Sequence, residues 1–164
     1  MFRELRRKRQ ALPAEACERI LRERGTGVLA VSGDEGWPYA VPLNYVWLDG
    51  KLYFHGARAG HKLDAIRRES RASFCVIDRD ENVPERFTTY FSSVIVFGHV
   101  APIDGDAEKR RAVRALADKF SPDEPEEARE REIDREWNAL CVLCLTPDHI
   151  SGKQAIELVA QSRD

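Results

Sequence analysis

The chain has 164 residues, an apolar share of 43% and a formal net charge of −2, which predict one globular domain spanning residues 1–164. No apolar run approaches the roughly 20 residues that are needed to cross a bilayer, so we expect no membrane partner. The net charge is slightly negative, so we expect no nucleic-acid partner either. Basic side chains crowd the first ten residues, and we expect 1–12 to be a mobile, solvated terminus.

The cysteines indicate the compartment and argue against a metal site. No segment resembles a secretory signal, so we expect a cytoplasmic protein whose four cysteines are reduced. Cys141 and Cys144 form a single CxxC within an apolar run. A structural zinc site needs two further ligands, for which the sequence offers no second CxxC and no paired histidines. We therefore expect no metal, and two buried strand cysteines that point to opposite faces of a sheet.

Periodicity and turn residues divide the chain into β-rich segments and a few helices. Asp49 and Gly50 form a strong hairpin signal. Pro42 marks an edge, a bulge or a kink because proline cannot donate to a ladder, and Gly98 is a candidate bulge. In chain order we predict a helix at 13–24, strands at 27–32, 37–48 and 51–55, a helix at 60–69, a strand at 72–78, a polar loop at 80–86, a strand at 88–103, a helix at 106–120, a charged segment at 121–134 that is either a short helix or a mobile loop, and a strand at 138–145.

About six strands with flanking helices indicate an α+β, mainly β fold on an antiparallel sheet or small barrel. Within it, the loop before the second helix collects basic residues at a helix start. The N-terminal end of a helix carries partial positive charge and free N–H groups, so it favours anions. Arg58, His61 and Lys62 are therefore expected to surround a bound anion, for which a phosphate is the usual candidate. His55, which ends the preceding strand, is either a ligand contact or a capped strand-end histidine.

No dinucleotide fingerprint, phosphate-binding P-loop, HExxH or GxSxG motif is present. Instead, four segments resemble the flavin-binding split barrels related to pyridoxamine 5'-phosphate oxidase, in the branch similar to nitroimidazole-resistance proteins. The resemblance implies a six-stranded antiparallel split barrel that forms a homodimer, with FMN in a cleft at the dimer interface. The segments that carry it are PYAVPLNYVWLDGKLYFHGARAGHKLDAIR at 38–67, SFCVID at 73–78, FTTYFSSVIVFGHV at 87–100 and HISGKQAIEL at 149–158.

The resemblance also implies a role for each matching residue. The flavin ring would lie against residues 42–45, the ring edge and ribityl chain beside 55–57, and the phosphate on Lys62 with help from Arg58 or His61. His55 would in addition face the substrate, as the candidate catalytic residue. The implied cofactor-binding residues are Pro42, Leu43, Asn44, Tyr45, His55, Gly56, Ala57, Arg58, His61, Lys62, Ser92, Ser93 and Trp137, of which Trp137 would come from the partner subunit.

The implied activity is an FMN-dependent oxidoreductase that passes electrons from NAD(P)H to a small organic acceptor, a nitroaromatic being one example. Two alternatives stay open at this point. One is a flavin-binding sensor or carrier without turnover, because no acid or base has a clear catalytic purpose. The other is a split barrel that uses deazaflavin or haem, with His55 or His99 as an axial ligand. The sequence does not identify the substrate.

Overall fold

A computed structural model of the chain describes residues 2–161. Its strands are β1 Thr26–Ser32, β2 Pro38–Asn44, β3 Val46–Leu48, β4 Lys51–Ala57, β5 Arg71–Val83, β6 Thr88–Pro102 and β7 Leu140–Gln154. Its helices are α1 Ala14–Glu23, α2 His61–Arg68, α3 Asp106–Phe120, α4 Glu126–Glu136 and α5 Ile156–Gln161.

The strands form one antiparallel sheet in the order β2-β1-β5-β6-β7-β4-β3. The predicted mainly β fold with flanking helices is thus confirmed, but the sheet of the described residues has seven strands, not six. The additional strand arises because the predicted strand at 37–48 is interrupted at Tyr45. There the backbone N–H leaves the ladder and bonds to the carbonyl of Gly25 at 3.0 Å.

Two strands extend further than their sequences suggest. The predicted polar loop at 80–86 is wrong in its first half, because β5 continues to Val83 and pairs with β6 down to Thr88. The predicted strand at 138–145 likewise continues to Gln154, which pairs with Ser92 of β6. Both extensions are polar on one face, and their backbone groups are satisfied by the long central strand β6.

The core lies inside the curved sheet, on one face of each strand. Leu29, Phe74, Val94 and Val96 are completely buried, whereas their sequence neighbours face outwards. Phe74 is at the centre, with its ring centroid 5.0 Å from that of Tyr45. Burial of each such side chain contributes about 1.5–3 kcal/mol. The sheet is therefore held mainly from within, by the side chains of its inner face.

Two of the turn and edge predictions are confirmed. β2 is an edge strand of the sheet, and Pro42 lies within it opposite Val28, so its missing N–H costs no ladder bond to a further strand. Asp49 and Gly50 have φ values of 51° and 75°, as a two-residue hairpin turn between β3 and β4 requires.

Gly98 lies at the predicted bulge, where the pairing of β6 with β7 shifts register. A Cβ atom at this position would stand 2.1 Å from the carbonyl oxygen of Thr146. We expect Gly98→Ala to destabilise the fold by about 1–3 kcal/mol because backbone must move to relieve the overlap. Urea unfolding would measure this, with Gly105→Ala as a control because nothing lies within 4 Å of a Cβ there. Equal stability of the two variants would contradict the close approach.

The charged segment after α3 forms a helix, α4, rather than a loop. It packs on the outer face of the sheet with α3, and Ile133 is its buried anchor. Ion pairs add to this contact, including Arg110 to Glu130 at 2.9 Å. Because exposed ion pairs contribute at most about 1 kcal/mol each, α4 is held less firmly than the strands.

The cysteines and the N-terminal segment lie on the sheet. Cys141 packs on the inner core and Cys144 on the outer cluster, so the predicted opposite faces are confirmed, although both side chains are half-buried rather than buried. All four cysteines are free. At the N-terminus, Phe2 stacks on His149 with 4.8 Å between ring centroids. The mobility expected for residues 1–12 stays a prediction.

Candidate functional site

The end of β4 presents successive side chains to opposite faces of the sheet. Phe54 lies in the inner core, whereas Tyr53 belongs to the outer cluster beneath α3 and α4. By the same alternation, Gly56 faces inwards and His55 faces the two outer helices. The predicted contact segment 55–57 therefore borders two different environments.

Lys62 fills the inward environment. Its Nζ lies 3.1 Å from the place that a Cβ atom on Gly56 would occupy, so the glycine makes room for the ammonium group. Lys62 is half-buried and, within residues 2–161, has neither an ion pair nor a side-chain hydrogen bond. Desolvation lowers its pKa from the ordinary lysine value. A partly desolvated cation without an anionic partner is a favourable place for a phosphate.

The other two basic residues of the loop are in different situations. Arg58 is exposed and has no ion pair within the part of the chain that the structure describes. His61 lies 3.3 Å from a carboxylate oxygen of Asp34 and stacks on Tyr39 with 4.1 Å between centroids. The structure thus brings Arg58 and Lys62 to the end of β4 as free cations and engages His61 with β2 and the turn before it.

A cleft opens on the outward side of β4, between the strand ends and the helices α3 and α4. Its volume is about 750 Å³, within the range of small-molecule and cofactor sites. Asn44 and His55 line its polar end, and Asn44 is fixed by a 3.0 Å hydrogen bond from the Thr26 hydroxyl. The apolar wall comes from the helices, through Val113, Leu116, Phe120 and Ile133. The cleft can hold a flat apolar group against polar strand ends.

His55 carries a depressed pKa in this position. Partial desolvation lowers the pKa first and the charge of Lys62 lowers it further. The folded state therefore binds fewer protons at His55 than the unfolded state, and stability falls as pH drops below about 6.5. We expect an NMR titration to show that the His55 ring is neutral at pH 7 and that its titration midpoint lies below the ordinary histidine value. In Lys62→Met the midpoint should rise, and an unchanged midpoint would contradict the proximity of the two groups.

The predicted ring-binding segment 42–45 is divided by the fold. Pro42 and Asn44 are exposed and Leu43 is half-buried. Tyr45 is completely buried, Lys119 lies 4.6 Å above its ring, and burial raises the pKa of its hydroxyl. Within one chain, therefore, Tyr45 is a core residue that anchors this segment, and Asn44 is the member that reaches the cleft.

The two predicted serine contacts lie on opposite faces of β6. Ser92 is buried and donates a 2.5 Å hydrogen bond to Asp78, which also accepts one from Arg24 at 2.8 Å. Ser93 faces outwards, paired with Lys153 in the adjacent strand. Ser92 is thus engaged inside the barrel, and Ser93 is the serine available to a ligand or a second chain.

Trp137 lies near the end of β4 in its own chain, because Ala57 pairs with Leu140 just after it. Lys109 of α3 covers the indole at 4.1 Å from the ring centroid and donates a 2.8 Å hydrogen bond to the Trp137 carbonyl. Sequence reasoning did not find Lys109. The signal for it was present, since Lys109 stands three, four and seven residues before buried Ala112, Val113 and Leu116, on the apolar stripe of the helix.

The structure is a split barrel in which the end of β4 places Arg58 and Lys62, without an ion pair in residues 2–161, beside a cofactor-sized cleft. The sequence pattern of the pyridoxamine 5'-phosphate oxidase family matches residues 13–154, and the chain belongs to this family. The family resemblance drawn from the sequence is thus confirmed. No curated protein sequence gives a significant match.

Several solved structures share the fold. A candidate 5-nitroimidazole antibiotic resistance protein from Bacteroides thetaiotaomicron has 20% identity and a TM-score of 0.75, over 88% of this chain and 86% of that one. A conserved hypothetical protein from Mycobacterium tuberculosis has 17% identity and a TM-score of 0.81, over 94% and 92%. The FAD and heme binding protein from Mycobacterium smegmatis has 22% identity and a TM-score of 0.73, over 95% and 80%. At these identities the likeness concerns the fold.

Proposed function

We propose that this protein is an FMN-dependent oxidoreductase that transfers electrons from NAD(P)H to a small organic acceptor. The observation that carries the proposal is Lys62, a half-buried cation with no anionic partner in residues 2–161, held against Gly56 at the start of a helix. A phosphate would complete this arrangement by pairing with Lys62 and with the N–H groups of His61 and Lys62, since those of Leu63 and Asp64 donate to the Gly60 carbonyl. A candidate 5-nitroimidazole antibiotic resistance protein and an FAD and heme binding protein share the fold, which supports a flavin as the cofactor.

The residues present fit a flavin. Gly56 leaves the space that the Lys62 ammonium occupies, and a side chain at this position would displace it. Arg58, at the same strand end, is a second cation without an ion pair in residues 2–161. On the other side of β4, the cleft offers an apolar wall for a flat ring and the polar groups of Asn44 and His55 for its edge.

When bound, a flavin would supply the two-electron redox chemistry of the reaction. The chain itself would bind and orient. Lys62 would hold the phosphate, Asn44 would contact the ring edge, and the apolar wall of the helices would keep water from the ring. His55, neutral at pH 7, would accept a hydrogen bond from the substrate or take up a proton at a ring nitrogen.

The proposed assembly is a homodimer with the cofactor at the interface. On the outer face of the sheet, Pro42, Val28, Cys75 and Ile95 form a row across four strands that contains no charged residue. Ile77, next to this row, is 61% exposed. An uncharged, partly exposed sheet face is typical of the core of a subunit interface. We infer that a second copy of the chain covers this outer sheet face.

Haem and deazaflavin are the alternative cofactors, and haem would need His55 or His99 as an axial ligand. His99 is a poor axial haem ligand, because one ring nitrogen lies 2.9 Å from the Ser70 hydroxyl and the other 3.3 Å from Asp148. His55 has no such partner in residues 2–161, so an absorption spectrum must separate flavin, deazaflavin and haem.

A cytoplasmic location is also part of the proposal. Within the described residues no helix has the length and apolarity to span a bilayer.

Steady-state turnover tests the enzymatic part of the proposal against the carrier alternative. The purified protein, saturated with FMN, is mixed with NADH or NADPH and a nitrobenzene derivative as acceptor. The proposal predicts sustained coenzyme oxidation that needs both protein and acceptor and that is weakened in His55→Ala. Tight FMN binding with no more coenzyme oxidation than free FMN supports would instead identify a carrier or sensor.

A further inference from the structure

Lys109 is an unusual residue for the buried face of a helix. Only 6% of it is exposed, yet within residues 2–161 it forms no ion pair with a carboxylate. Its Nζ donates to the Trp137 carbonyl and lies above the Trp137 ring, at 2.8 Å and 4.1 Å respectively. Burying an ammonium group without an anion carries a desolvation cost, which the carbonyl and the ring offset only in part.

The three arginines of α3 are in the opposite situation. Each of them is exposed or half-exposed, and each has a carboxylate within ion-pair distance. These pairs are Arg110 with Glu130 and Asp134, Arg111 with Asp49, and Arg114 with Glu130. Lys119, near the end of α3, has no ion pair within residues 2–161 either, but it is only half-buried. Lys109 is thus distinguished from the other cations of its helix by its burial.

Arg58 brings a second free cation to the same place. Ala57 pairs with Leu140, so Arg58 leaves β4 beside the turn that leads from Trp137 into β7. Burial lowers the pKa of Lys109 and the nearby charge of Arg58 lowers it further, against an opposing attraction from Asp106. Within residues 2–161, no carboxylate lies within ion-pair distance of either cation.

This cluster is separate from the position of Lys62. Lys62 lies over Gly56 on the inner face of β4, whereas Trp137 packs on the outer cluster with α3 and α4. One phosphate on Lys62 would therefore leave the charge of Arg58 and Lys109 largely uncompensated.

We infer that Arg58, backed by Lys109 and Trp137, forms a second anionic subsite that takes a phosphate or carboxylate group. Arg58 contacts the anion, and Lys109 is a positioning residue that adds charge and fixes Trp137. The inference rests on the proposed flavin site, with which it shares the strand end 55–57. The anionic group belongs either to the cofactor, as the second phosphate of a flavin dinucleotide, or to the second ligand, as a group of the electron donor or acceptor.

The test compares Arg58→Gln with Arg111→Gln, which removes an exposed arginine of α3 paired with Asp49. Dissociation constants are measured for riboflavin, FMN and FAD, and KM for NADPH. Arg58→Gln should weaken FAD relative to FMN, or raise KM for NADPH at constant kcat, by about tenfold, since a charge-assisted hydrogen bond is lost. The first result assigns the anion to the cofactor and the second to the donor. A change in neither, or a change only in FMN relative to riboflavin, would overturn the second subsite.

Inorganic pyrophosphate provides a probe that does not depend on flavin binding. Calorimetry should detect its binding to the wild-type chain and about tenfold weaker binding to Lys109→Met, with recovery in Lys109→Arg. If Lys109 is only structural, thermal stability changes while the affinity for pyrophosphate does not, and the inference fails. If pyrophosphate binds in this pattern but no flavin does, the proposed function fails and the subsite stands.

Discussion

Replacing Lys62 with alanine should weaken FMN binding by about tenfold to a hundredfold and leave riboflavin binding unchanged. The reason is that Lys62 is expected to contact only the phosphate, and a hydrogen bond between two charged groups contributes about 1.5–3 kcal/mol. Lys62 has no ion pair or side-chain hydrogen bond in the described part of the chain, so its removal breaks no internal contact of that kind. Fluorescence titration of the stripped protein with each flavin measures both constants.

The matched control is Lys51→Ala, which removes a lysine from the other end of β4. Lys51 lies 3.8 Å from Glu108, away from Gly56, so the ratio of FMN to riboflavin affinity should stay as in the wild type. If the ratio of FMN to riboflavin affinity is the same in Lys62→Ala as in Lys51→Ala, Lys62 does not hold the phosphate.

Introducing a charge on the uncharged sheet face should have an equally large effect. We expect Ile77→Arg to convert the homodimer to monomers at micromolar concentration, because an arginine from each copy would be buried next to the other without a partner. Since the cofactor is proposed to lie at the interface, FMN binding should weaken in parallel. Sedimentation velocity gives the assembly state, and circular dichroism verifies that the fold is retained.

Ile156→Arg is the control for this experiment, because Ile156 is 42% exposed at the start of α5 and lies outside the uncharged sheet face. It should leave both assembly and FMN binding unchanged. If Ile77→Arg is still a dimer, the interface lies on another surface. If the wild-type protein is a monomer that binds FMN normally, the proposal of a dimer is wrong.

The features predicted correctly from the sequence depend on signals close together in the chain. The Asp49-Gly50 turn, the edge position of Pro42 and the bulge at Gly98 each follow from what one residue type can or cannot do. The candidate site was proposed in the same way, because Gly56, Arg58 and Lys62 all belong to one loop and helix start. Residue types and their spacing were sufficient for these predictions because the residues concerned are neighbours in the sequence.

The features that were missed depend on partners far along the chain. Tyr45 leaves the ladder for a carbonyl twenty residues earlier, at Gly25, and a strand pattern cannot show this. His61 lies within ion-pair distance of Asp34, 27 residues earlier in the chain. Lys109 contacts the ring of Trp137, 28 residues later, and its helix sequence alone does not indicate this contact. The sequence therefore predicted which residue types form the site, and the structure distinguishes the free cations from those that are already paired.

The absorption spectrum of the purified protein, followed by titration of the stripped protein with FMN, shows whether the chain binds a flavin. We expect flavin bands, one FMN per chain and quenching of FMN fluorescence on binding, with the phosphate-dependent part of the affinity lost in Lys62→Ala. A colourless protein that neither binds nor quenches added FMN would contradict this expectation.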